Sequence, residues 1–276
     1  MQTESDYKTF FTHYQDTVHQ LDTDIRFWKH FLAISIERYK ADNPDNRWIH
    51  QSGFSIYDIS SDGLKSWLHS SSKVLTIEID DLTEQSNNFF AWVMNVSIIR
   101  IYNSLELLLL QTIQFKYFPL LESPIKGKKF ANKVTSEIKN YLKAKSLNTD
   151  TVNNRHLIQF LKSNSALCKQ LMEVPVNHVN WKTNWENFYE LLSILRNIIT
   201  HDGMIVSKNT HNTIKSIAAD IFIHFFKPIT GKEDLETLQV KNEEYFLHFV
   251  TLINDLAGNV LKFVAEKPDL NFIGLR

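Results

Sequence analysis

The chain has 276 residues, enough for one large domain or for a small domain attached to a larger one. Its 43% hydrophobic content excludes a globally disordered chain, and only 7 Gly and 6 Pro argue against an all-β fold that needs a turn every ten residues or so. One cysteine, Cys168, excludes a disulfide framework or a thiolate zinc site within the chain. The net charge of −1 divides unevenly: residues 1–85 carry 8 Lys/Arg against 14 Asp/Glu, and the remainder 22 against 17.

The start, Met1–Lys8, is polar and acidic, without the basic and apolar regions of a signal peptide, so a cytoplasmic protein is expected. Tyr7, Phe11, Tyr14, Val18, Leu21, Ile25, Trp28, Leu32 and Tyr39 recur at spacings of three and four, broken at Ser35. This predicts a long helix over 7–39, packed lengthwise on another helix and stopped at Asp42–Asn46. Phe54–Ile59 and Val74–Asp80 alternate as short strands, with a short helix expected over Gly63–Ser70. Gln85–Asn88 reads as linker and helix N-cap. Two domains follow: an N-terminal helical extension over 1–85, with room for a short β hairpin, and a helical bundle over 86–276.

Phe89–Pro119 is the most apolar stretch, but its load of Asn95, Arg100, Asn103, Glu106, Gln111 and Gln114 makes it a core helix rather than a membrane span. Arg100, Asn103, Ser104, Gln111 and Gln114 share one stripe, which by default faces solvent. Segment 122–145 holds seven Lys against two Glu and reads either as a solvated face or as a phosphate-contacting patch carrying Lys126, Lys128, Lys129 and Lys133. Further helices are expected over Arg155–Leu171, Trp185–His201, Asn209–Lys227 (stopped by Pro228) and Glu243–Glu266. The fold class is therefore mainly all-α.

The segment with chemical content is Asn187–Gly203. Phe188, Leu191, Leu192, Leu195, Ile198 and Ile199 make a core stripe, and Arg196, Asn197 and His201 fall off it. Asn197 and His201 lie one turn apart, whereas Arg196 sits about 140° round from His201 on a regular helix. Gly203 is a natural residue to end the helix, which places His201 at the negative end of the dipole. A histidine titrating near neutrality can exchange a proton with a ribose 2′-OH or a leaving 5′-oxygen, and an arginine can hold the scissile phosphate. One chain offers one such histidine, so a two-histidine mechanism needs a second protomer.

Arg196-Asn-Ile-Ile-Thr-His201 resembles the R-N-x-x-x-H form of the motif of HEPN domains, and the helix carrying Ser104–Leu109 is similar to their first helix. The resemblance extends over 88–266. It implies an HEPN-like helical bundle that dimerises around a shared cleft, and a metal-independent endoribonuclease with no cofactor. Arg196 and His201 would be catalytic and Asn197 supporting, with Arg100 and Glu106 as substrate-side candidates. RNA is the implied substrate and no membrane is involved. A toxin–antitoxin or antiviral defence setting, with an antitoxin or activating protein as partner, is also implied. The competing reading, from the long aromatic-rich seam over 7–39 and the near-zero net charge, is a non-catalytic helical protein-interaction or regulatory module.

Overall fold

The structure is a computed structural model and describes residues 4–51, 55–70, 75–121, 128–147, 155–176, 181–230 and 236–267. Among these lie eight α-helices and only small strand pairings, so the fold is mainly all-α. The chain divides into two compact units, one made of residues 1–23 and 91–276 and the other of 24–90. The division differs from a cut after residue 85, because the long helices α1 (Glu4–Asp42) and α2 (Leu82–Tyr117) each contribute to both units. The linker expected at Gln85–Asn88 is helical and lies inside α2.

In the larger unit, α2 is apolar nearly all round, which only a helix sheathed by others can sustain. Ile98, Ile101, Tyr102, Leu105, Leu108, Leu109 and Ile113 are all buried. By length and composition, the segment Ile79–Tyr117 is the one candidate membrane span among the described residues; 56% of its apolar window is buried inside the protein, as suits a core helix. The seam of α1 packs here as expected. Tyr7 meets Phe115 edge-on at 5.2 Å, and the Tyr14 hydroxyl donates to Asn254 Oδ1 at 2.8 Å. The polar stripe on α2 divides: Arg100 and Asn103 are exposed, but Gln114 is buried and donates to the Leu121 carbonyl at 3.1 Å.

The larger unit also holds α3 (Lys128–Ala144), α4 (Arg155–Asn164), α5 (Ala166–Glu173), α6 (Trp185–His201), α7 (Lys208–Phe225) and α8 (Glu243–Val264). The single helix expected over 155–171 is two. Ser165 leaves the helical region (φ −137°, ψ 118°) and its hydroxyl caps α5 by accepting from the Cys168 N–H at 3.1 Å. A three-stranded antiparallel sheet was not expected from the sequence. It orders β5 (Ile205–Val206), β7 (Glu236–Val240) and β6 (Phe226–Thr230), with β7 in the middle. Pro228, read as a helix stop, lies within β6, where an edge strand tolerates its missing N–H.

Helix α7 bends at Ala218 (φ −150°, ψ 42°), and just past the bend Asp220 fastens the segment before α6. Its carboxylate accepts from the Thr183 hydroxyl and from the backbone N–H groups of Lys182, Thr183 and Ile221. Burial acts to raise its pKa. The hydrogen bonds from Thr183, Lys182 and Ile221 together outweigh it, so the net shift is downward. An acid with a lowered folded-state pKa contributes stability above its unfolded pKa, near 3.9, and loses it as pH falls through the folded value. Asp220→Ala is therefore expected to cost about 2 kcal/mol at neutral pH. It should also flatten the fall in stability below about pH 4. Urea denaturation at pH 7 and pH 3 measures both, and an unchanged difference between the two pH values would refute the assignment.

In the smaller unit, β1 (Trp48–Gln51) pairs antiparallel with β4 (Leu75–Glu78), and β2 (Ser55–Ile59) with β3 (Ser66–Ser70). The segment expected as a helix over Gly63–Ser70 ends instead in β3, each residue of which has a partner on β2. Gly63 (φ +72°) serves the turn between β2 and β3. Phe54 and Val74, expected strand ends, lie outside the described residues. On α1 the buried positions run from Ile25 to Ile36, whereas the expected seam residue Trp28 is 56% exposed. Eleven residues is three turns of a straight helix, so the seven-residue spacing that placed Trp28 inside does not hold in this unit.

Candidate active site at the end of α6

Helix α6 begins at Asn184, whose side chain accepts from the Asn187 N–H at 2.9 Å, and ends at His201. Its core stripe from Phe188 to Ile199 is buried as read from the sequence. The end is held on all sides. Asp202 N–H and Met204 N–H both donate to the Ile198 carbonyl, at 3.2 and 3.0 Å. Gly203 (φ +59°) supplies the left-handed residue that turns the chain, and Met204 (φ +68°) follows it in the same region. Met204 then accepts from the Leu238 N–H at 2.8 Å, tying the helix end to β7.

On this fixed end the three motif side chains come together. Arg196 Nη1 donates to Asn197 Oδ1 at 3.0 Å and lies 3.3 Å from His201 Nε2. The guanidinium spans the angular separation that the helix imposes on the two Cα positions. Because a guanidinium has only donors, His201 Nε2 is the acceptor in this pair, which puts the ring proton of the neutral imidazole on Nδ1. The half-buried Arg196 thus presents its charge beside an exposed histidine lone pair. Thr200 completes the turn by donating to the Arg196 carbonyl at 2.6 Å.

Glu106 and Tyr102 of α2 lie within electrostatic reach of Arg196. The Tyr102 ring stands 6.0 Å from that of Tyr189 on α6. Burial raises the Glu106 pKa, and the Arg196 charge only partly offsets it. A carboxyl whose folded pKa is raised adds stability below its unfolded pKa and loses it as pH rises through the folded value. Glu106→Gln should therefore remove that pH-dependent loss, leaving the protein at least as stable as wild type at pH 7. A thermal melt across pH 4–7 checks this, and a lower melting temperature for the variant at pH 7 would contradict it.

The other candidates are not brought to this point. Arg100 donates through Nη2 to Gln20 Oε1 at 3.2 Å, on a shallow face of α2 shared with Val96, Asn103 and Leu107. Lys126 lies outside the described residues; Lys128 opens α3 and Lys133 is exposed along it. What the sequence reading missed is a cleft of about 850 Å³ between α4, α5, α6 and α7, with Asn197 in its wall. Asn187, Glu190, Ile194 and Asn197 line its α6 side at spacings of three and four, a signal that was present in the sequence. Lys162 on α4 and Lys169 on α5 line it from across, and Lys162 Nζ is held by Glu186 at 2.7 Å and Glu173 at 3.8 Å.

Compared with known proteins, the chain matches no family model, no curated protein and no solved structure.

Proposed function

We propose that the chain is a metal-independent endoribonuclease of HEPN type, cutting RNA at a site composed from two copies of the chain. The observation that carries the proposal is the joined Arg196–Asn197–His201 cluster at the hydrogen-bonded end of α6, with His201 Nε2 accepting 3.3 Å from the guanidinium. The chemistry is proton transfer plus charge stabilisation. One His201 takes the proton from a ribose 2′-OH, and O2′ forms its bond to phosphorus. The P–O5′ bond breaks, and the His201 of the second copy, which enters the reaction protonated, gives its proton to O5′ and is left neutral. The products are a 2′,3′-cyclic phosphate and a 5′-hydroxyl. Arg196 neutralises the negative charge that builds on the phosphoryl oxygens, and Asn197 orients the guanidinium. Lys128, Lys129 and Lys133, at the start of α3, supply a sequence-independent attraction for the backbone.

The test is incubation of a pool of end-labelled single-stranded RNAs with the purified protein in EDTA, followed by mass spectrometry of the new ends. Cleavage with cyclic-phosphate ends is expected. Cleavage that disappears on chelation, or ends bearing 5′-phosphate, would refute the mechanism.

A second reading, a helical protein-interaction module, is favoured by the smaller unit. There Phe27, Trp28 and Phe31 form a mutually packed aromatic cluster, with ring centroids 5.3–6.3 Å apart, and each ring is more than half exposed. A stable complex with a partner protein, in the absence of any RNA cleavage, would make this the primary role.

A further inference from the structure

We propose that the cleft between α4, α5, α6 and α7 is a nucleobase subsite, receiving the unpaired base of a nucleotide next to the scissile phosphate; the inference rests on the ribonuclease reading. Position is the first argument. Asn197 lines the cleft and also accepts from Arg196 Nη1, so the cavity opens beside the groups assigned to the phosphate. Size is the second: about 850 Å³ falls within the range of roughly 300–1,000 Å³ found for small-molecule sites.

The lining decides which part of a nucleotide enters. Lys162 and Lys169 are matched in the wall by Glu186 and Glu190, and Lys162 is already neutralised by Glu186 at 2.7 Å. A phosphate group drawn into this lining would meet two carboxylates, whereas a neutral heterocycle with donors and acceptors on its edge meets complementary groups. Gln159, Asn187 and Ser193 add amide and hydroxyl partners, and Ile158 and Ile194 supply apolar surface for a ring face. The phosphate then stays outside, at Arg196, and the base turns inward. A base can make that turn only from a single strand, because in an A-form duplex its edge is paired and its faces are stacked.

The test uses a short fluorescent single-stranded RNA carrying 2′-O-methyl groups, which cannot be cleaved, and the same strand in duplex form, with binding read by fluorescence anisotropy. The wild type is expected to prefer the single strand. Asn187→Trp fills the cleft while keeping the residue 187 N–H that donates to the Asn184 side chain, and should weaken single-strand binding about tenfold, the factor equivalent to about 1.4 kcal/mol. Its weak duplex binding should be unchanged. Gln159→Ala, a milder change that serves if the tryptophan variant does not fold, should alter which bases flank the cut sites of unmodified RNA. If the wild type cuts RNA while Asn187→Trp binds single strands as tightly and Gln159→Ala keeps the same cut sites, the base lies elsewhere and only this inference falls. If the wild type neither cuts nor binds RNA, the ribonuclease reading falls with it.

Discussion

His201→Ala is expected to reduce RNA cleavage by about 10²- to 10⁴-fold, the contribution typical of one general acid or base. Two copies of the chain share the proposed site and both histidines are lost together, so the upper end of that range is the natural expectation. The fold should not register the change. His201 is exposed, and among the described residues its side chain meets Arg196 at 3.3 Å, so stability should stay within about 0.5 kcal/mol of wild type. Arg196→Lys discriminates further. A lysine keeps the positive charge but not the planar fork that can bridge Asn197, His201 and a phosphate, so cleavage should fall steeply despite the conserved charge. Rates of wild type, His201→Ala and Arg196→Lys on one labelled RNA in EDTA, with melting curves alongside, measure both halves. Parental cleavage by His201→Ala would remove the histidine from the mechanism and the proposed function with it.

Those side chains could be read from the sequence because the helix and turn that bring them together are local, even though β7 also ties down the helix end. The limits of α6, Trp185–His201, coincide with the expected ones, since a core stripe at helical spacing is closed by a turn glycine within the same twenty-residue window. The elements that escaped are non-local or locally ambiguous. The sheet joins Ile205 to Thr237 and Phe226 to Val240, through strands of two to five residues too short to show a period, and its proline is locally indistinguishable from a helix stop. Ser165 is one polar residue inside an otherwise continuous helical pattern. Only its backbone geometry reveals a cap for α5 rather than an interior position of α4. The cleft draws on four helices, so no window of the sequence contains it, although the α6 stripe of Asn187, Glu190, Ile194 and Asn197 carries its period. Glu106 was named from the first core helix, and its place near the Arg196 charge depends on how α2 and α6 pack.

The largest stability effect is expected at Asn95, far from the motif in sequence and bound to it through β7. Asn95 is 1% exposed on α2, a helix that otherwise buries apolar groups. The cause lies in the sheet. On one side β7 pairs with β6 over its whole length, but on the other β5 covers only Glu236 and Thr237. Met204 takes the Leu238 N–H, and beyond it the open edge is closed by a side chain. Asn95 Nδ2 donates to the Leu238 carbonyl at 2.8 Å and Oδ1 accepts from the Val240 N–H at 3.2 Å. One carboxamide thus does the work of a missing strand, with a donor and an acceptor at the spacing the ladder requires. Asn95→Leu conserves volume but strands a buried carbonyl and a buried N–H, each costing about 1–3 kcal/mol, so a loss of roughly 2–6 kcal/mol is expected. Asn95→Asp retains the acceptor for Val240 but sets a carboxylate oxygen against the Leu238 carbonyl, and should be no better. Since Leu238 also anchors Met204 at the end of α6, the amide protons of Met204, Leu238 and Val240 should exchange faster in Asn95→Leu, even in buffer where the variant is still folded. Denaturant titration and hydrogen exchange measure the two effects. A loss below about 0.5 kcal/mol with unchanged exchange would mean that the β7 edge finds its partners without Asn95, and that the helix end bearing His201 is held by its own turn alone.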